Sequence, residues 1–327
     1  MKSLFKSYEN EFKIGAAVNQ RTIKTHQDLL KDHFNSLTAE NDMKFASVQP
    51  EEGRFTFRKA DKIVEFAREN DKAVRGHTLV WHNQTPDWVF SDQQGNQVGS
   101  EKLLARMKDH IFQVVERYKG EVYCWDVVNE AIADDKEKTL RETKWREIIG
   151  PEYIKKAFNY AHQADPEALL FYNDYNATQP QKRDKIFKLV QDLLEAGTPI
   201  HGIGIQGHWN IYSPSVDEIE AALKKYASLG LKIHITELDI SVFAFDDRRK
   251  DLEQPTEEMM DLQAEKYRKV FALFREYSEV IGNVTFWGVA DDQTWLDNFP
   301  VQGRKNWPLI FDTEHNPKKS FWEIIEK

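Results

Sequence analysis

Cysteine is nearly absent from this chain: Cys124 is the one cysteine in 327 residues. A single thiol excludes an internal disulfide and suits a reducing compartment. Its place in the strand-like segment 122–128 predicts a buried, inert side chain. Long hydrophobic runs are also absent, and no stretch approaches the roughly 20 apolar residues that a membrane-spanning helix needs. Nor is there an excess of positive charge. Lys and Arg number 45 against 54 Asp and Glu, for a net charge of -9. The isoelectric point near 5.7 argues against nucleic acid or an anionic membrane as partner. The first residues, Met1 to Glu9, hold a cation but neither an apolar stretch nor a small-residue cleavage site. They do not read as a signal peptide, so cytoplasm is the expected location unless a leader has been removed. No Pro/Gly/Ser-rich linker, low-complexity segment or short repeat divides the chain. Histidines in His-Glu-x-x-His spacing, which would indicate a zinc site, are missing.

What is present is an alternation of strand-like and helix-like segments from end to end. Strands are predicted at residues 12–18, 36–39, 73–80, 122–128, 169–172, 202–206, 232–236 and 283–288. Between them, apolar residues recur with helical spacing: Ala60, Ile63, Val64 and Ala67; then Leu104, Met107, Ile111, Val114 and Tyr118. Ile186, Leu189, Val190, Leu193 and Leu194 form another such face, and Tyr267, Val270, Phe271 and Phe274 a later one. Eight strands with helices between them predict a (β/α)8 TIM barrel in a single domain spanning 1–327, with a doubly wound open sheet as the alternative.

Polar and aromatic residues gather at the C-terminal ends of these strands, the end at which parallel α/β proteins build their sites. Glu40, Asn41 and Lys44 follow the second strand, and His77, Trp81, His82 and Gln84 the third. Asn129 and Glu130 follow the fourth, and Tyr172, Asn173 and Asp174 the fifth. Gln206, His208 and Trp209 end the sixth, Glu237 and Asp239 the seventh, and Trp287 and Trp295 come after the eighth. Any one of these could satisfy a backbone group, but seven successive clusters of one character point to a site. Indole rings stack on the apolar faces of sugars, and Asn, Gln, His, Glu and Lys match their hydroxyls. Trp145 and Trp322 are expected in the outer helix layer instead. Glu130 and Glu237, each just past a strand, are the candidate carboxylate pair of glycoside hydrolysis.

At this point the chain resembles glycoside hydrolase family 10, the retaining endo-β-1,4-xylanases. The resemblance rests on Thr38-Ala39-Glu40-Asn41-Asp42-Met43-Lys44, Gly76-His77-Thr78-Leu79-Val80-Trp81-His82 and Trp125-Asp126-Val127-Val128-Asn129-Glu130. It continues through Tyr172-Asn173-Asp174-Tyr175-Asn176, Gly202-Ile203-Gly204-Ile205-Gln206-Gly207-His208 and Ile235-Thr236-Glu237-Leu238-Asp239. Phe286-Trp287-Gly288-Val289 and Pro308-Leu309-Ile310-Phe311-Asp312 complete it, leaving no room for a separate carbohydrate-binding module. The resemblance implies Glu130 as acid/base, Glu237 as nucleophile, His208 bonded to Glu237 and oriented by Asp239, and Asn129 on the hydroxyl beside the reacting carbon. It implies Glu40, Asn41, Lys44, His77, Trp81 and Gln84 on the glycone side, with Gln206 near the reacting sugar. Trp287 and Trp295 would close over that side, and Tyr172 and Asn173 would lie toward the aglycone. Phe45, where many relatives carry Trp, is read as a packing variation, and Thr294 replaces a commoner Ser.

The implied partners are xylan and xylo-oligosaccharides, with no metal or organic cofactor needed for the reaction. A retaining mechanism requires carboxyl groups about 5–5.5 Å apart, one protonated and one ionised. Alternatives are the same chemistry on cellulose or a mixed-linkage glucan, whose extra hydroxymethyl group would have to fit beside Trp287 and Trp295, and a non-catalytic carbohydrate-binding or inhibitor protein on the same barrel. A phosphate-binding metabolic barrel is disfavoured, because no Gly-rich loop precedes the last helix. Oligomeric state is not readable from the sequence.

Overall fold

The structure, a computed structural model, describes residues 2–325. Its strands are β1 (Lys13–Val18), β2 (Ser36–Ala39), β3 (Ala73–Val80), β4 (Val122–Asn129), β5 (Leu169–Asp174), β6 (Gly202–Ile205), β7 (His208–Asn210), β8 (Lys232–Ser241) and β9 (Ile281–Phe286). The eight expected strands are all present. The ninth, β7, is a three-residue resumption of strand after the break at Gln206 and Gly207, too short to leave a pattern. The strand containing Glu237 runs on to Ser241, so this carboxylate lies within a strand rather than past its end.

Two compact units make up the chain, one formed by Thr38–Gly204 and the other by the segments up to Leu37 and from Ile205. In the first, β3 and β4 pair in parallel with His77 opposite Asp126, and β4 and β5 pair with Asn129 opposite Asn173. These strands are buried along nearly their whole length, as parallel strands covered on both faces must be. The helix Arg58–Glu69 buries Ala60, Ile63, Val64 and Ala67, the face its spacing predicts. In the helix Ser100–Arg117 the buried leucine is Leu103, while Leu104 is only half-buried.

In the second unit, β1 pairs with β9, β9 with β8, and β8 with β7, all parallel. The helix Val216–Ala227 begins with a capping box, in which Ser215 accepts from the Glu218 amide and Glu218 reaches back to Ser215. The long helix Glu257–Glu276 buries Tyr267, Val270, Phe271 and Phe274. Among the described residues, no helix is long and apolar enough to cross a membrane. Cys124 is buried.

Gly76 shows why one strand residue had to be glycine. A Cβ there would stand 2.1 Å from the Trp125 ring, which lies across the neighbouring strand. The ring is buried, so room for a methyl group has to come from displacing packed neighbours, and Gly76→Ala should destabilise the fold by about 1–3 kcal/mol through overpacking. Equilibrium denaturation checks this, and an unchanged midpoint would show that Trp125 can move.

Candidate active site

In the unit Thr38–Gly204 the site is organised around Glu130. This residue follows β4 directly and takes φ 57°, a left-handed conformation that a non-glycine residue adopts only when its surroundings hold it. Here they do. The Glu130 amide donates to the Asn173 carbonyl at 2.8 Å, and its own carbonyl accepts from Arg141 Nε at 3.2 Å. The Trp81 indole donates to Glu130 Oε2 at 2.8 Å. Trp81 is itself held by Trp145, whose indole donates to the Trp81 carbonyl at 2.9 Å. Trp145 lies on the helix Lys144–Ile149 as expected and is buried, but it also supports the site. Trp322 lies on the helix Lys319–Ile325 with 40% of its surface exposed, edge-on to Phe321.

Below Glu130 lies a buried ionic group. Asp126 accepts from Arg75 on one oxygen and pairs with His77 Nδ1 at 2.7 Å on the other, with all three side chains inaccessible or nearly so. A carboxylate buried without such partners would be strongly destabilising. At the end of β2, Asn41 Oδ1 accepts from Lys44 Nζ at 3.0 Å and from Gln84 Nε2 at 3.2 Å. Lys44 Nζ also stands 4.9 Å from the centre of the Trp81 ring, so these residues form one connected patch. Glu40 is half-buried beside them in sequence. Asn129 accepts from Asn173 Nδ2 at 2.9 Å. Phe45 stacks on His110 with ring centres 3.5 Å apart, consistent with a packing residue.

Tyr172 departs from expectation. Its ring is fully buried, its hydroxyl donates to Asp174 and accepts from the Ile132 amide at 3.1 Å, and it presents no face to a sugar. Asn173 is fully buried too. The tyrosine that does reach the surface at this strand end is Tyr175, which the sequence reading passed over. Arg141 Nη2 donates to its hydroxyl at 2.6 Å, and Lys182 Nζ sits 3.4 Å from its ring centre. Burial pushes the Asp174 carboxyl up to about 6, against Lys182 and the Tyr172 hydroxyl, with Glu130 adding to the rise.

In the other unit the corresponding carboxylate is Glu237, 5% exposed. His208 Nε2 lies 3.0 Å from Glu237 Oε2, and His208 Nδ1 lies 2.9 Å from Asp239 Oδ2. The pairing of β7 with β8 sets His208 directly opposite Asp239. The Trp295 indole donates to the same Asp239 oxygen at 2.8 Å. Trp295 is fixed between His208, at 4.8 Å between ring centres, and Phe299, stacked at 4.9 Å. Trp287 meets His208 edge-on at 6.1 Å, and its amide donates to the Leu238 carbonyl. Gln206 is buried just before β7. Asp126, Arg75 and Arg141 were not singled out from sequence. A charged residue inside the otherwise apolar run Trp125-Asp126-Val127-Val128 was the available signal for the first of them.

Burial opposes a charge on His208, but Asp239 and then Glu237 overcome it and push its pKa up to about 10. The folded chain therefore binds this proton more tightly than the unfolded chain, whose histidine titrates near 6.5. The stabilisation from this group is complete below pH 6.5 and is lost as the pH rises through about 10. Imidazole nitrogen NMR should find His208 doubly protonated at neutral pH, and Asp239→Asn should bring its titration down toward 6.5. A wild-type titration near 6.5 would contradict this account of the pair.

The comparisons with known proteins agree on one assignment. The Glycosyl hydrolase family 10 model matches residues 3–327. The chain is 62% identical to an endo-1,4-beta-xylanase of Geobacillus stearothermophilus, over 99% of this chain and 98% of that protein. It is 58% identical to endo-1,4-beta-xylanase B of Paenibacillus barcinonensis, over 99% and 97% of the two chains. The crystal structure of xylanase XynB from Paenibacillus barcinonensis, complexed with a conduramine derivative, superposes with a TM-score of 0.98 at 57% identity, covering 99% and 98% of the chains. A mutant structure in complex with xylotriose gives 0.98 at 52% identity over the full length of both. The fold class is accordingly the (β/α)8 TIM barrel, and the chain belongs to glycosyl hydrolase family 10.

Proposed function

We propose that Glu237 is the nucleophile and Glu130 the acid/base of an endo-1,4-β-xylanase that cleaves xylan and xylo-oligosaccharides with retention of configuration. The activity follows from family membership and from 62% identity to an endo-1,4-beta-xylanase along almost the whole chain. The roles rest chiefly on the hydrogen-bonded pair His208 and Glu237. A cationic imidazole 3.0 Å from Glu237 stabilises negative charge there, which an attacking carboxylate requires.

In the first step, a Glu237 oxygen bonds to the anomeric carbon as the glycosidic bond breaks, and Glu130 delivers its proton to the departing oxygen. The Trp81 indole donates to Glu130 Oε2 at 2.8 Å and so helps to orient the carboxyl group. In the second step, Glu130, now a carboxylate, takes a proton from water while the water oxygen displaces Glu237 from the sugar. Asp239 and Trp295 act through His208 and so position rather than react. Lys44, Asn41, Gln84 and Trp81 form the polar and aromatic patch suited to the glycone, joined in this reading by Glu40 and His77. Asn129, Gln206 and Trp287 complete the sugar contacts, and Tyr175 takes the aglycone role expected of Tyr172. A cytoplasmic location accords with the single buried cysteine; activity recovered from the culture medium rather than the cytosol would overturn that part.

Two variants test the roles. Glu237→Ala should be almost inactive on xylan, and azide should restore turnover with inverted configuration, whereas wild type should give retained product by NMR of the fresh hydrolysate. Inversion by wild type would sink the assignment. Glu130→Ala should lose about 10²–10⁴-fold on xylan but little in the first step on aryl glycosides with good leaving groups, which need no proton. Equal losses on both substrates would remove Glu130 from the role of proton donor.

A further inference from the structure

Away from the residues given roles above, three side chains from separate segments of one unit converge. They are His26, directly after the short helix Thr22–Thr25, Asp292 in the segment after β9, and His315 in a turn near the C-terminus. His26 Nε2 lies 2.7 Å from Asp292 Oδ1, and His315 Nε2 lies 3.6 Å from the same oxygen. One ligand atom from each residue falls within 4.8 Å of the others. A tetrahedral zinc ion with bonds of about 2.0–2.1 Å holds its donor atoms about 3.3 Å apart. The observed separations bracket that value. The His26 side chain is inaccessible, while Asp292 and His315 are 18% and 33% exposed, so an ion could enter from their side.

His26 is held from both sides. Its Nε2 lies 2.7 Å from Asp292 Oδ1, where a ring N–H donates to the carboxylate in the metal-free chain. Its Nδ1 lies 2.7 Å from the Thr25 hydroxyl, which is also 3.1 Å from the Arg21 carbonyl. A metal ion on Nε2 would displace that proton, and the ring proton would then sit on Nδ1 with the Thr25 oxygen as its acceptor. An acceptor on the far nitrogen orients metal-binding imidazoles.

The conformation of His315 is the independent observation. Its turn has a twin elsewhere in the chain. Asp92 accepts from the amides of Gln94 and Asn96, and Asp312 from those of Glu314 and Asn316. Each turn is closed by an isolated bridge, Ser91 with Gln97 and Phe311 with Pro317. The first turn has Gly95 at φ 84° where the second has His315 at φ 69°. Glycine suits this position best, and histidine is one of the few other residue types that adopt it; here its ring lies with its centre 4.1 Å from that of His26. The turn does not need an imidazole; Asp292 and His26 are what it faces. Arg21 Nη2 is 3.2 Å from Asp292 Oδ2, which weakens the site's pull on a cation, but Arg21 is well exposed and Oδ1 points to the histidines.

We propose that His26, Asp292 and His315 bind a divalent transition-metal ion such as Zn²⁺ or Ni²⁺, in a structural role separate from the hydrolytic chemistry. Two imidazoles and a carboxylate suit such ions better than Mg²⁺ or Ca²⁺. The ion would tie the C-terminal turn to the segment between Trp287 and Trp295.

The test uses the full-length, tag-free protein after dialysis against a chelator. Titration calorimetry with ZnCl₂ should show one ion bound per chain, and saturating Zn²⁺ should raise Tm by about 3–5 °C. His315→Gly, which the twin turn shows to be compatible with the backbone, should abolish both effects, as should His315→Asn, a second residue tolerant of this conformation. Thr25→Val should weaken binding about 10–100-fold through the loss of the orienting partner. Wild type that binds no ion stoichiometrically, or His315 variants that bind as wild type does, would overturn the proposal.

Discussion

A histidine held between two carboxylates is the arrangement on which the reactive part of this structure depends. Glu237 and Asp239 stand two residues apart on one strand, so both side chains leave it on the same side. Burying both as anions would be prohibitive without a cation between them. His208 supplies that charge, because β7 resumes strand pairing with His208 opposite Asp239. The same contact explains why Trp295 matters beyond its ring. Its indole shares Asp239 Oδ2 with His208, so an aromatic surface and an ionic cluster are set by one oxygen.

The unit that carries Glu130 solves a similar problem with different residues. Asp126 is inaccessible and is balanced by Arg75 and His77 from the neighbouring strand. Four residues later the chain leaves β4 in a left-handed conformation at Glu130, held by backbone bonds to Asn173 and Arg141. The carboxylate there accepts from the Trp81 indole N–H, whereas Glu237 is paired with the His208 imidazole. In the proposed roles, a cation beside Glu237 favours the ionised form that a nucleophile needs.

Sequence patterns carried far in this chain because its elements are locally consistent. Helical faces such as Ala60, Ile63, Val64 and Ala67 are buried as their spacing predicts, and all eight expected strands exist. The failures have a common cause. Parallel strands covered on both sides are buried along their length, so alternation cannot show which residues reach a site. Tyr172 and Tyr175 look interchangeable in Tyr-Asn-Asp-Tyr-Asn, yet one is fully buried on Asp174 and the other reaches the surface. Trp145 carries a helical signal and nonetheless supports Trp81.

The order of strands and helices, the candidate carboxylates and the sugar-binding character of the residues near them were determined by the sequence alone, because each depends on residue type and short-range spacing. Tertiary structure decided the pairing of His208 with Glu237 and Asp239, the partners of Asp126, the support of Trp81 by Trp145 and the meeting of His26, Asp292 and His315. Those contacts join residues from about 20 to nearly 290 positions apart. No local pattern records such separations; they exist only once strand register and loop packing have brought the charges close enough to need one another.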